Sequence, residues 1–231
     1  MALLSDVADR AQNAINDAGV GTWSQAVIEE WVTEAIRDYN NYFHRTLTIS
    51  QSIASDASTL TLSRMVREIL HVEYPAGNSP PTLLKRRSRY AADFYQRDDY
   101  FDFEPVGEYG VTEDGGVSPY LVFSNNPTVD DTIVVLTRAI HEAELDSDEL
   151  VTIPDEHQHL LVLFVLWKAH SERTITQAQD PDTSIRMIQQ MKEAAKMAEA
   201  DYRRAIELAQ QTAGASGWTP PWQMDSHDRI Y

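Results

Sequence analysis

Apolar residues recur at helical spacing at both ends of the chain and at strand spacing between them. From Ser5 to Ala18 the positions Val7, Ala8, Ala11, Ala14, Ile15 and Ala18 form one stripe, which predicts a short amphipathic helix capped by Ser5 and stopped by Gly19. A second helix is predicted from Thr22-Trp23-Ser24-Gln25, a capping-box pattern, through Val27, Ile28, Trp31, Val32, Ala35, Ile36 and Tyr39 to about Phe43. Between Leu47 and His141 the period shortens. The runs 47–49, 59–62, 68–74, 120–123 and 132–137 are β-rich and are separated by Pro, Gly, Asn and Asp, which predicts a small sheet or sandwich. Within it, Tyr90, Ala91, Phe94 and Tyr95 predict a short helix over 88–98, and the acidic, glycine-rich stretch 107–116 predicts an exposed loop.

Helical spacing returns after Ile153-Pro154-Asp155, with proline and acids placed as helix starts prefer. Leu160 to Trp167 is apolar almost all the way round, so this helix is predicted to be central. The last helix is predicted from Asp180 to about Gln211, with Ile185, Ile188, Met191, Ala195, Ala198, Tyr202, Ile206 and Ala209 on one face. The predicted fold is α+β: a helical bundle formed by residues 1–46 and 150–212, a β-rich insertion at 47–149, and a non-helical C-terminal arm at 213–231.

The arm is unusual in composition. Glycines and Pro220-Pro221 disfavour helix, yet Trp218, Trp222, Met224, Ile230 and Tyr231 carry much apolar area. Such a segment either folds back on its own core or anchors in a partner's groove, its prolines lowering the entropy lost on docking. Fully extended, it spans on the order of 55–60 Å.

The chain has 231 residues, a formal charge of −17 and no cysteine. That charge opposes binding to nucleic acid through phosphates, and the missing cysteines exclude disulfides, thiolate metal sites and thiol nucleophiles. The N-terminal residues lack an export pattern, and no apolar run is long enough for a bilayer, so no membrane association is expected. One basic cluster, Lys85-Arg86-Arg87-Ser88-Arg89, reads as a solvated loop or a contact with acidic neighbours.

Candidate chemistry is thin. His157 and His159, near His170 and His141, are the best metal candidates, but residues two apart on a helix point about 200° apart, whereas ligands sharing a face are three or four apart. No nucleophile elbow, phosphate loop or dinucleotide fingerprint is present, so neither catalysis nor a cofactor or metal is expected.

The order of elements resembles a known family. Trp31 to Tyr39 in the second helix, the strand run ending in Ile69 to Tyr74, Tyr120 to Phe123 followed by Asn126-Pro127, Asp131 to Leu136, Val151 to Pro154 and two long helices resemble the head-to-tail adaptor (connector) proteins of tailed bacteriophages, including tail-tube-A-like adaptors. The resemblance covers roughly residues 20–211. It implies a structural virion protein of the neck, assembled in the host cytoplasm, that forms a ring of twelve copies beneath the portal protein and contacts a tail or nozzle protein. Genomic DNA would pass through the ring without specific binding. By position, the arm corresponds to the segment that wedges into the portal, with Trp218, Pro220, Pro221, Trp222, Met224, Ile230 and Tyr231 as its contact residues. The alternatives are a cytoplasmic scaffold using the same arm and a metal-dependent hydrolase centred on His157, His159 and His170.

Overall fold

A computed structural model describes residues 2–20, 23–54, 57–104, 118–125, 131–143 and 145–215. Among them are helices α1 (Leu4–Asp17), α2 (Gln25–Tyr39), α3 (Gln158–Ala178) and α4 (Ile185–Ala215). The strands are β1 (Arg45–Ile53), β2 (Thr59–Thr61), β3 (Val66–Glu73), β4 (Leu83–Arg86), β5 (Tyr100–Glu104), β6 (Tyr120–Phe123) and β7 (Asp131–Ala139). This is an α+β fold with helices towards both ends and the sheet between them. The chain divides into a helical unit, residues 1–43 with 141–231, and a β unit, residues 44–140.

In the helical unit α1 buries Leu4, Val7, Ala8, Ala11 and Ile15. Its start differs from the expectation, because Ser5 lies inside the first turn and Leu3 is the flanking residue. The free N–H groups are satisfied from elsewhere: Leu4 N–H donates to the Glu149 carbonyl at 3.0 Å, Ser5 N–H to the Ser147 carbonyl at 3.1 Å, and Leu3 N–H to the Asp6 carboxylate at 3.1 Å. Gly19 follows the helix at φ +63, a left-handed turn that glycine adopts without steric cost.

Helix α2 begins after Ser24, and the Thr22 cap expected from sequence lies outside the described residues. Beyond Tyr39 the chain turns rather than continuing as regular helix to Phe43, and the Tyr39 and Phe43 rings stack at 4.6 Å. A 3-10 turn at Asp155–His157 leads into α3, whose Leu160, Leu161, Phe164, Val165 and Ala169 are buried among the other helices.

Helix α4 starts later and ends later than its stripe suggests. Residues 180–184 form turns instead, with Asp180 accepting from the N–H groups of Asp182 (3.0 Å) and Thr183 (3.1 Å). Ser184 then accepts the Met187 N–H at 3.3 Å, as an N-cap does. At the other end the helix runs through Gly214 to Ala215, so the arm does not begin at residue 213. One glycine costs a helix only about 1 kcal/mol, too little to end 31 residues of continuous hydrogen bonding.

The β unit is one seven-stranded sheet in the order β1-β7-β3-β4-β5-β6-β2, antiparallel except for the β4–β5 pair. The five β-rich runs read from the sequence all fall on strands, whereas β4 and β5 were not predicted. Phe101 and Phe103 of β5 alternate with half-buried neighbours and are buried in the sheet core with Leu121, Phe123, Ile133 and Val135. The helix predicted over 88–98 is only a 3-10 turn at Phe94–Gln96, because Phe94 is buried while Tyr90 and Tyr95 face solvent. The predicted loop at 107–116 lies outside the described residues.

Candidate functional site

The basic cluster singled out in the sequence is internally satisfied. Lys85 pairs with Asp99 at 3.0 Å, Arg87 with Asp93 at 3.0 Å and Arg89 with Glu104 at 3.1 Å, while Arg86 lies over the Phe103 ring at 5.9 Å. The hydrogen bond from Lys85, aided by Arg97, holds the Asp99 carboxyl below the usual carboxylate range. The basic cluster is therefore one side of a charge-complementary surface within the β unit, not a free anion site.

The histidines are likewise distributed among separate partners. His157 Nδ1 meets the Tyr39 hydroxyl at 2.7 Å, and His141 Nδ1 meets the Thr152 hydroxyl at 2.9 Å. His159 Nδ1 donates to the Glu156 carbonyl at 2.8 Å, the only sense a carbonyl permits. Burial lowers the pKa of His157 and of His170, and in His170 the nearby Arg173 adds to the effect. Burial also raises the Tyr39 phenol. Among the described residues no group of three His, Asp or Glu side chains is placed to hold a metal ion. An open groove of about 510 Å³ lies beside Asp6, Asp9, Arg10, Asp155 and Gln158. The buried Gln158 amide there is fully engaged, donating to Asp155 at 2.8 Å and accepting from Arg10. This groove therefore presents carboxylates and a fixed amide to solvent, without a nucleophile and base in contact.

What remains is surface, and α4 has the most distinctive one. Its C-terminal half is anchored by Tyr202, Ile206 and Ala209. Tyr202 meets Phe164 edge-on at 5.4 Å, stacks on Trp167 at 6.0 Å and donates its hydroxyl to Asp38. Burial and that hydrogen bond both raise the Tyr202 phenol pKa. The N-terminal half buries nothing completely and exposes Ile185, Met187 and Met197. Sequence reading followed the inner stripe and missed this outer one, although Met187, Ala194, Met197 and Leu208 also repeat at helical spacing. The predicted contact residues Trp218, Pro220, Pro221, Trp222, Met224, Ile230 and Tyr231 lie outside the described residues. The segment that bears them continues from the end of α4.

Among the described residues of this α+β chain, His141, His157, His159 and the Lys85–Arg89 cluster make internal contacts. The family model of the SU10 adaptor protein matches residues 2–225, nearly the whole sequence, and the chain belongs to that family of phage head-to-tail adaptors. It is a structural family, not an enzyme class. No match is found among curated proteins. No described helix is long and apolar enough to cross a membrane.

Proposed function

We propose that this adaptor forms a homo-oligomeric ring at the virion neck, assembled in the host cytoplasm, which joins the portal protein to a tail or nozzle protein and surrounds the path of the genome. The family match over residues 2–225 carries this reading. The charge of −17 supports it, since an acidic channel wall repels phosphates and leaves DNA no site at which to stick.

In this reading the segment after α4 seats in a groove of the portal. Trp218, Trp222 and Tyr231 are its anchors and Pro220 and Pro221 stiffen it, while Met224 and Ile230 add apolar area. The test is capture of the full chain and of a chain lacking residues 216–231 on immobilised portal. The deletion keeps the helical far-ultraviolet signal and loses portal capture, and Trp218→Ala with Trp222→Ala weakens capture strongly. Undiminished capture by the deleted chain would assign portal binding to another surface.

A further inference from the structure

Strands β1 and β2 are the two edges of the seven-stranded sheet. β2 has three residues, and shortness is one way a sheet edge is protected. β1 has nine, all paired with β7 in unbroken register. Which backbone groups its outer edge presents follows from β7. Ile140, just past β7, donates its N–H to the Met65 carbonyl at 2.9 Å, and the Thr132 carbonyl accepts from the Ala76 N–H at 2.9 Å. Even-numbered residues along β7 therefore turn their backbone groups to the β3 side, and odd-numbered ones turn theirs to β1. The odd-numbered residues stand opposite Arg45, Leu47, Ile49, Gln51 and Ile53, so these residues of β1 bond to β7. From that same side the Leu47 carbonyl also accepts the Thr137 hydroxyl at 3.0 Å. Thr46, Thr48, Ser50 and Ser52 direct both N–H and carbonyl outwards, and among the described residues nothing bonds to those groups.

Open edges are ordinarily guarded by lysine, proline, a bulge or an inward-pointing charge. Beyond Arg45 at its start, β1 has none of these: residues 46–53 are uncharged in a chain that is 24% charged, and the side chains of Thr46, Thr48, Ser50 and Ser52 are exposed hydroxyls. A line of alternating backbone donors and acceptors is matched by another extended strand. β1 of a second copy meets that requirement in register. Set antiparallel about a twofold axis through Ile49, Thr46 stands opposite Ser52 and Thr48 opposite Ser50, so all the outward residues of both copies bond at once. No two charges face each other along this line, which matters between molecules of −17 each. On the core face Ile49 meets Ile49 of the second copy as a close cross-strand pair, covering a side chain that is only half-buried in the isolated subunit. β2 of a second copy would offer three residues against nine and leave most of the line open.

We infer that the free edge of β1 pairs with β1 of a second copy of this chain, joining two seven-stranded sheets into one. A contact of one surface with itself ends at two copies, so it describes the free chain and is independent of the ring reading.

The test is sedimentation equilibrium of the full chain over a concentration series, where the unaltered chain gives a reversible monomer–dimer equilibrium. Ser50→Pro removes an outward N–H and no bond to β7, so it keeps the melting temperature and weakens association about tenfold. Thr48→Lys with Ser50→Lys sets lysine opposite lysine and weakens it similarly with the backbone untouched. The chain has no native cysteine, so register can be read from introduced thiols. On oxidation Ile49→Cys forms a disulfide-linked dimer, whereas Thr46→Cys, whose counterpart in the second copy lies about 20 Å away, does not. A chain monomeric throughout the series, association unchanged in both edge variants, or dimers from Thr46→Cys as readily as from Ile49→Cys would overturn the inference. So would a Thr48→Cys thiol that maleimide labels freely at every concentration of the free chain and that only portal protein shields, which assigns the edge to that partner.

Discussion

The helical and β units bury apolar side chains in similar fashion but place their polar contacts differently. In the helical unit several are inside or half-inside: the Tyr202 hydroxyl on Asp38, the Gln158 amide between Asp155 and Arg10, and Asn40 exchanging two hydrogen bonds with the His141 backbone at 2.8 and 2.9 Å. In the β unit the ion pairs of the basic cluster are open to water, such as Lys85 with Asp99 and Arg87 with Asp93. Breaking a desolvated contact strands its partner away from water, whereas breaking a solvated one returns both groups to it. The same chemical deletion should therefore cost much more in one unit than in the other.

The largest effects should not discriminate between the units. Leu161→Ala in the helical core and Leu121→Ala in the sheet core each cost about 2–5 kcal/mol, read from denaturant unfolding. The contrast appears with Tyr202→Phe, which removes the donor to Asp38 and costs about 1–3 kcal/mol by the same measurement. A loss below that of an exposed ion pair would break the comparison.

Acid sharpens it further. The pKa of His157 is lowered in the folded state, so below the unfolded value near 6.5 the unfolded chain binds more protons. The stability this group contributes is present above that value and is lost as pH falls towards the folded pKa. Melting temperature should thus decline from pH 7 to pH 5, and His157→Gln should flatten the decline. His44 in the β unit is also lowered, by burial and by Arg138 and Arg67, and so is His170, by burial and by Arg173, so a residual slope should survive and yield to His44→Gln and His170→Gln together. The smallest effect is expected for Arg87→Ala, within about 1 kcal/mol and weaker still in high salt.

The sequence revealed most where one period dominates. α3 was legible because apolar residues surround it, and β7 because its long Thr132-Ile-Val-Val-Leu-Thr137 run is rich in β-branched residues. β4 escaped because Lys85 and Arg86 look like loop, and their pairing with Asp99 and Phe103 is a property of the fold alone. The first turn of α1 depends on carbonyls of residues 147 and 149, far off in sequence, which no local cap rule can foresee. For α4, the inner stripe was read correctly at Tyr202, Ile206 and Ala209 but extended to the wrong start, since Asp180 binds its own turn and Ile185 faces solvent. The exposed flank of α4 was half legible: the outer methionines were in plain view, and only the fold separates them from the buried stripe.

The two hydrogen bonds between Asn40 and His141 have a consequence for modularity. They pin together the chain just before it leaves the helical unit and just as it returns, so the helical unit sees residues 44–140 as a closed loop fixed at both ends. Closing a loop costs about 0.6 kcal/mol more for each doubling of its length, so the clasp tolerates widely different cargo between its ends. The inserted unit can thus be exchanged without loosening the helical unit, and an engineer can cut at Phe43 and His141 and splice in a short linker or a foreign domain.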